Sequence, residues 1–173
     1  MMRSDERKSF RRDERGATVV EFALLAPVLL LVLLASVTAF DLFRSAQNVE
    51  KATFSIGDML SRQKTISSSK LADVLGFMRN VAPSSSDGGL RISSVGKKNG
   101  VFEVLWSRSV GSNVPTTAIP TSILPDIANG DTVLVTESFV PHEAMFAGFG
   151  LSDVSFTANA VHRPRFVTSI AFQ

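Results

Sequence analysis

The sequence contains no cysteine and no tyrosine, and it has one tryptophan and two histidines among 173 residues. Without cysteine the chain forms no disulfide, no thiolate metal site, no cysteine nucleophile and no cysteine-linked lipid anchor. His142 and His162 do not form an H-x-x-x-H or H-x-x-E-H motif. Neither a G-x-S-x-G elbow nor a phosphate-binding glycine loop occurs, so we expect no cofactor and no enzymatic activity.

The chain also has no formal net charge outside its N-terminal segment. The formal net charge is +2, but residues 1–16 hold six basic and four acidic side chains, so the rest of the chain is formally neutral. A neutral domain has no electrostatic attraction for nucleic acid, and we expect no nucleic-acid partner. The N-terminal basic excess is instead relevant to membrane topology.

What the sequence does contain is one long apolar run, Ala17–Phe40, in which Glu21 is the only charged residue. As a helix this run is about 36 Å long, enough to cross a hydrocarbon core of about 30 Å. A helix that is apolar on every side is typical of a membrane span. Basic residues before Gly16 outnumber those just after the run, which predicts a cytoplasmic N-terminus and a C-terminal domain on the other side of the membrane.

Around Gly16 the sequence resembles the class III signal of type IV prepilins. A basic leader ends in Gly16, Ala17 follows, and Glu21 is the fifth residue after that boundary. The apolar run from Phe22 onward is more specifically similar to TadE-like pseudopilins, minor subunits of tight-adherence (Flp-type) pilus systems. The resemblance implies inner-membrane anchoring and cleavage between Gly16 and Ala17 by a prepilin peptidase.

The same resemblance implies a role for Glu21 and a set of partners. Glu21 would pair with the N-terminal ammonium of a neighbouring subunit, and other pilin or pseudopilin subunits and the Tad assembly machinery would be the partners. Two departures from related patterns stand out. Ala17 occupies a position where many type IV pilins have Phe, and no tyrosine accompanies Glu21 as in the short major Flp pilins.

Two other interpretations of the N-terminal region stay open. In one, Glu21 snorkels towards the headgroups and the chain is an uncleaved, single-pass anchored periplasmic binding or scaffold module. In the other, a conventional signal peptide ends at Val37-Thr38-Ala39 and releases a secreted domain. The apolar run exceeds the usual length of about 7–15 residues and contains Glu21, which argues against conventional cleavage.

The helix is expected to continue beyond the apolar run, because apolar residues recur over 41–62 at three- and four-residue spacing. This predicted stripe consists of Phe43, Ala46, Val49, Thr53, Ile56 and Leu60. A second helix, N-capped by Ser68 or Ser69, should end before Pro83. We therefore predict a cytoplasmic leader (1–16), a transmembrane helix (17–40), its amphipathic continuation (41–62) and an α+β domain (63–173), which the resemblance places in the periplasm or outside the cell.

Beyond Gly89 the apolar period changes from 3.6 to 2. Strands are predicted at 90–95, 101–110, 132–140 and 153–162, with a five-residue hairpin loop after the first. Four residues of the second strand, Phe102, Val104, Trp106 and Val110, are expected to share one face. Residues 111–131 predict a long loop with one helical turn, and the tail after Pro164 predicts an edge strand. A long N-terminal helix packed on an antiparallel sheet is a pilin-like α+β fold.

Three further segments have both structural and functional interpretations. Neighbouring side chains diverge in a strand, so His142 and Glu143 are disfavoured as a metal site. Arg163 and Arg165 fit a solvated strand end better than an anion site. The Phe-rich segment 146–151 fits a buried loop and a subunit contact equally well.

Overall fold

The structure, a computed structural model, describes residues 14–83, 86–142 and 154–173. The chain divides into two compact units, one up to Phe40 and one from Asp41 onward. The elements are, in chain order, α1 (Glu14–Ser61), β1 (Thr65–Ile66), α2 (Ser68–Val81), β2 (Gly89–Lys98), β3 (Val101–Gly111), β4 (Thr132–His142), β5 (Val154–His162) and β6 (Ala171–Phe172). The predicted α+β class is confirmed, and the predicted helical turn in the long loop is a 3₁₀ turn at Thr121–Ile123.

Helix α1 begins at Glu14, before the predicted start at residue 17, and contains Pro27. In the first unit of the chain, the large apolar side chains of α1 face outward. Val19, Leu24 and Leu33 each have a relative exposure of 60% or more. The hydroxyl of Ser36 donates to the carbonyl of Val32 at 2.7 Å, and that of Thr38 donates to Leu34 at 2.9 Å. These polar side chains therefore have partners within the helix itself, as a low-dielectric surrounding requires.

From Asp41 onward, α1 buries one stripe against the four-stranded sheet. Val49, Ile56 and Leu60 are fully buried, and burial of each such side chain contributes about 1.5–3 kcal/mol. Phe43 was predicted to lie on the same stripe, but it is 65% exposed. The prediction is wrong at Phe43 because this residue lies about 120° around the helix from Val49 at 3.6 residues per turn.

Helix α2 begins with a side-chain cap one residue earlier than predicted. The hydroxyl of Ser67, rather than of Ser68 or Ser69, accepts from the backbone N–H of Lys70 at 3.3 Å. Ser67 has extended backbone angles, as an N-cap requires. Four apolar residues of α2 complete the core beside α1: Leu71, Val74, Leu75 and Met78.

The main sheet is antiparallel with strand order β3-β2-β4-β5. The predicted five-residue loop between β2 and β3 is instead a two-residue turn, Asn99-Gly100, because both strands extend further than expected. Asn99 has φ of 52° and Gly100 has φ of 80°. Asn-Gly accepts two successive positive φ angles, as tight hairpin turns require.

β3 carries a β-bulge at Leu105. The β2–β3 register passes over Leu105 by pairing Ser94 with Trp106 and Val95 with Val104. An inserted residue moves the following side chains to the other face of the strand. Trp106 accordingly packs in the core beneath α1, whereas Phe102 packs on the opposite face. The prediction that Phe102, Val104, Trp106 and Val110 share one face is therefore wrong.

The two faces of the sheet are covered differently. The face towards α1 carries Leu90, Ile92, Leu134 and Val140, and Phe156 and Ala158 of β5 pack against the same core. The opposite face carries a smaller cluster of Val95, Ile127, Val133 and Val135, closed by the loop between β3 and β4. The inward positions predicted for β5 are confirmed for Phe156, Ala158 and Ala160.

Residues 163–173, which we call the C-terminal strap, join several elements. The backbone N–H of Arg165 donates to the Ser61 carbonyl at the end of α1, and that of Gln173 donates to Ile66, each at 2.9 Å. The indole N–H of Trp106 donates to the carbonyl of Ile170 at 2.7 Å. The predicted final strand exists as β6, but it pairs in parallel with β1 and forms no part of the main sheet.

Candidate functional site

The predicted processing bond, Gly16–Ala17, lies in the first turn of α1. A helix supplies no backbone partners for its first four N–H groups, so unwinding costs least there. Gly16 is exposed, and a Cβ added to it would meet no atom within 4 Å. The described fold therefore does not require glycine at residue 16.

Glu21 lies among exposed apolar residues, including Val20, Phe22 and Leu25. Its side chain is exposed, and within 14–83, 86–142 and 154–173 no basic side chain forms an ion pair with it. Four residues of α-helix separate Ala17 and Glu21 by a rise of about 6 Å and place them on nearly the same side. Glu21 therefore lies about one helical turn beyond Ala17, on the same side of the helix.

Helix α1 is, by length and composition, long and apolar enough to cross a membrane, and an 18-residue stretch of it has mean hydropathy 2.6. Placing the Glu21 carboxylate in hydrocarbon costs a free energy of about 2.5–3.5 kcal/mol at the centre of a span and less near an interface. A cation brought beside Glu21 by another molecule would offset part of that cost.

In the second unit, Asp41–Gln173, which we call the outer domain, the most buried charged side chains among the described residues form a structural pair. Arg91 donates two hydrogen bonds to Glu137, at 2.7 and 2.8 Å, and the two side chains are only 7% and 5% exposed. The remaining guanidinium N–H groups include donors to the carbonyls of Pro115 and Thr117 in the β3–β4 loop. Arg91 is therefore used to hold this loop over the sheet.

The two histidines lie at opposite ends of the β4–β5 pair, since His142 pairs with Val154 and His162 with Leu134. Nε2 of His142 lies 3.6 Å from a carboxylate oxygen of Asp41. Glu143 lies outside the described residues. Across the described part of the chain, no cluster of three His, Cys, Asp or Glu side chains is arranged to hold a metal.

His162 fills the space left by a helical glycine. A Cβ on Gly57 would lie 2.5 Å from Nδ1 of His162, and the imidazole also packs against Phe54, with ring centroids 4.9 Å apart and ring planes tilted by 59°. Burial lowers the pKa of His162, the charge of Arg165 lowers it further, and the carboxylate of Asp58 opposes these effects. Neutral imidazole is thus the form that fits between helix and sheet.

The two arginines of the Arg163-Pro164-Arg165 segment contact carboxylates of this same chain. Arg163 forms an ion pair with Asp131, and Arg165 forms one with Asp58, which also binds Arg62 at 2.8 Å. The hydrogen bond from Arg62 is the main cause of the lowered pKa of Asp58. The Arg165–Asp58 pair attaches the C-terminal strap to the end of α1, and the Arg163–Asp131 pair attaches it to the loop before β4. The Phe-rich segment 146–151 lies outside the described residues.

Sequence reasoning did not single out Gly57, Asp58 or the ion pair of Arg91 with Glu137. Gly57 carried the clearest signal, because glycine inside an apolar helical stripe commonly marks a close approach. Nothing in the sequence indicated that Arg91 of β2 pairs with Glu137 of β4. Whether the two residues lie opposite each other depends on the register of the two strands, which is set by the whole sheet.

The fold and the apolar helix define the class of protein: an α+β domain with one helix that fits a single-pass membrane anchor. Residues 16–55 match the model of a family described as TadE-like protein, so the resemblance predicted from the sequence is confirmed for that segment. The similarity associates the chain with the tight-adherence (Flp-type) pilus system. No curated protein and no solved structure matches the chain.

Proposed function

We propose that the chain is a minor pseudopilin that contributes to assembly of a tight-adherence (Flp-type) pilus. A prepilin peptidase cleaves it between Gly16 and Ala17 on the cytoplasmic side of the inner membrane. The apolar helix stays on the mature protein, and the outer domain lies in the periplasm until assembly. The observation that carries this proposal is a lone carboxylate, Glu21, one helical turn beyond a glycine that the fold does not require.

Cleavage would create a positively charged α-ammonium group at Ala17, which can serve as the counter-ion of a Glu21 carboxylate. The α-amino group of Ala17 is protonated near neutral pH, with an ordinary pKa of about 7.7–8.0. In a bundle of subunits, the ammonium of one copy can reach Glu21 of its neighbour, and the pair offsets part of the cost of placing each charge in hydrocarbon. The apolar helix then serves first as an anchor and later as a packing surface between subunits.

Intact mass and N-terminal sequencing of the protein purified from its native membranes test the processing step. We expect a chain that begins at Ala17. A chain that retains residues 1–16 would contradict the proposal and identify an uncleaved anchored module. A chain that begins at Phe40 would show conventional signal cleavage and would exclude both membrane-bound alternatives.

Replacement of Glu21 by Leu tests the assembly step separately. We expect Glu21→Leu to insert into the membrane normally and to lose surface pili and adherence, because the ammonium then lacks its partner. Asp73→Leu is the matched control, since Asp73 is also an exposed carboxylate on a helix but lies on α2, in the second unit. Normal assembly by Glu21→Leu would contradict the proposed charge pairing.

A further inference from the structure

The two edges of the main sheet differ in how they discourage contact with another strand. Edge strand β3 carries Glu103 and Arg108 and is interrupted by the bulge at Leu105. Charges and bulges are common devices that keep sheet edges from pairing with other chains. Edge strand β5 is paired with β4 at every residue from Val154 to His162, without a register shift. It has no proline, and its residues 154–161 include no charged side chain.

A groove runs along β5, between this strand and helix α1. One part, of about 520 Å³, is lined by Ala46, Val49 and Glu50 of the helix and by Ser155–Asn159 of β5. The adjoining part, of about 620 Å³, is lined by Gln47, Glu50, Lys51, Phe54, Ser55 and Asn159. Every helical residue of this wall falls within the segment 16–55 that matches the TadE-like family model.

We propose that β5 is a docking edge for an extended, uncharged segment of a second polypeptide, which adds a fifth strand to the sheet. Within the described sheet, the outer backbone groups of β5 have no strand partner. An added strand satisfies them with main-chain hydrogen bonds, and its alternate side chains enter the groove above Ala46 and Phe54. The other side chains lie beside Ser155, Thr157 and Asn159, which are exposed and uncharged.

The occupant is a segment of another protein and not a second copy of this domain. Antiparallel pairing of β5 with β5 of a second copy requires a two-fold axis perpendicular to the sheet. This axis would reverse the direction of one α1, so the two Asp41 ends, each attached to an apolar anchor, would point in opposite directions. Pairing of β5 with β3 of a second copy would instead use the edge that carries charges and a bulge.

The size of the edge also fits a flexible strand better than a folded partner. Nine residues of β-strand span about 30 Å, and the edge is about 10 Å high, which gives about 300 Å². Stable interfaces between folded proteins bury about 800 Å² on each side. The edge is therefore sufficient for a peptide-like segment but too small to hold two domains together alone.

The test uses hydrogen exchange of the full chain in detergent micelles, with the capped heptapeptide TVTVTVT as the probe. The peptide TVTPTVT is the control, because proline removes a donor and disfavours a regular strand. At a probe concentration ten times its dissociation constant, we expect about tenfold slower exchange of the outward amides of β5. β3 should be unaffected, and TVTPTVT should protect neither edge.

Lysine substitutions provide the matched pair of variants. Thr157→Lys should abolish the protection by TVTVTVT, while Glu103→Lys on the other edge should leave it intact, although it changes the charge more. Trp106 fluorescence checks that each variant is folded, and Asn159→Lys replaces Thr157→Lys if the latter is not.

Three outcomes would overturn the proposal. One is the absence of protection at millimolar TVTVTVT, and another is equal protection of β3 and β5. The third is protection of β5 that appears without peptide and grows with protein concentration, which would make a second copy the occupant. None of these outcomes depends on cleavage at Gly16, so the proposed function and this docking edge fail independently.

Discussion

Between Val19 and Leu33, helix α1 exposes its large apolar side chains, whereas from Val49 to Leu60 the apolar side chains on one stripe are fully buried. The backbone conformation is helical throughout. The first half carries apolar residues on all sides and the second half on one stripe only, so each is matched to a different surrounding. The difference shows that a change of side-chain pattern alone suits one half of a helix to a membrane anchor and the other half to a protein core.

Truncation of the buried side chains of α1 is expected to have the largest effect on the free energy of unfolding. Ile56→Ala should lower the free energy of unfolding of the outer domain by about 2–5 kcal/mol, through lost burial and a cavity. Leu31→Ala, in the exposed half, should leave that free energy unchanged. Urea unfolding in detergent micelles, followed by fluorescence of the single tryptophan, Trp106, measures both variants. Equal losses of unfolding free energy in Ile56→Ala and Leu31→Ala would show that the two halves of α1 lie in the same environment.

The two glycines of α1, Gly57 and Gly16, sharpen the comparison. Gly57→Ala should cost about 1–3 kcal/mol of stability, because its Cβ would overlap the imidazole of His162. Gly16→Ala should not lower stability, since no atom lies near its Cβ position and alanine favours helix. The same unfolding measurement applies. The double variant Gly57→Ala, His162→Ala should be less destabilised than the sum of its single variants.

Hydroxyl groups in the two halves provide a smaller contrast. Thr53 bonds the carbonyl of Val49 at 2.7 Å and the hydroxyl of Ser138 across the core at 2.6 Å. Thr53→Val should therefore cost about 1 kcal/mol of domain stability. Ser36→Ala removes only a bond within the apolar half and should leave domain stability unchanged. A loss in Ser36→Ala as large as that in Thr53→Val would contradict the contrast.

The smallest effect expected is a pH dependence confined to the outer domain. Because the pKa of His162 is lowered in the folded state from its usual 6.5, the unfolded chain binds a proton first as the pH falls. Stability should therefore decrease from about pH 6.5 downward, until the folded pKa is reached. Melting temperature measured against pH tests this, and His162→Gln should remove that part of the decrease.

Carboxylates contribute to the pH dependence in a separate range. The pKa of Asp58 is lowered mainly by the hydrogen bond from Arg62, and that of Asp126 mainly by the hydrogen bond from Lys97. Their stabilisation is present above the usual carboxyl pKa of 3.8 and is lost as the pH falls below it. A decrease in stability between pH 6.5 and 5 that persists in His162→Gln would therefore need another source.

Periodicity predicted the helices, the strands of the main sheet and most of the buried positions, because each depends on neighbours along the chain. It missed features that depend on a single residue. The bulge at Leu105 placed Trp106 and Val110 on the face opposite Phe102, and the tight turn at Asn99-Gly100 needed more weight on the Asn-Gly pair than on Gly96 as the start of the loop.

The candidate site divides in the same way. Gly16, Ala17 and Glu21 lie within six consecutive residues, so their spacing on one helix could be predicted from the sequence. The contact of His162 with Gly57 and the ion pair of Arg91 with Glu137 join residues far apart in the chain. Such contacts follow from sheet registry and crossing geometry, which no local pattern specifies.

The C-terminal strap has a consequence for the order in which the domain is made. Arg165 contacts Asp58 across 107 residues, and its backbone N–H binds the last turn of α1. Closing so long a loop is entropically costly and slow compared with local pairing. The end of α1 therefore gains these contacts only once residues 163–173 have reached the folded domain. Until then the Ser61 carbonyl and the Asp58 carboxylate lack these partners, so an incompletely folded chain should be more accessible to proteases and chaperones.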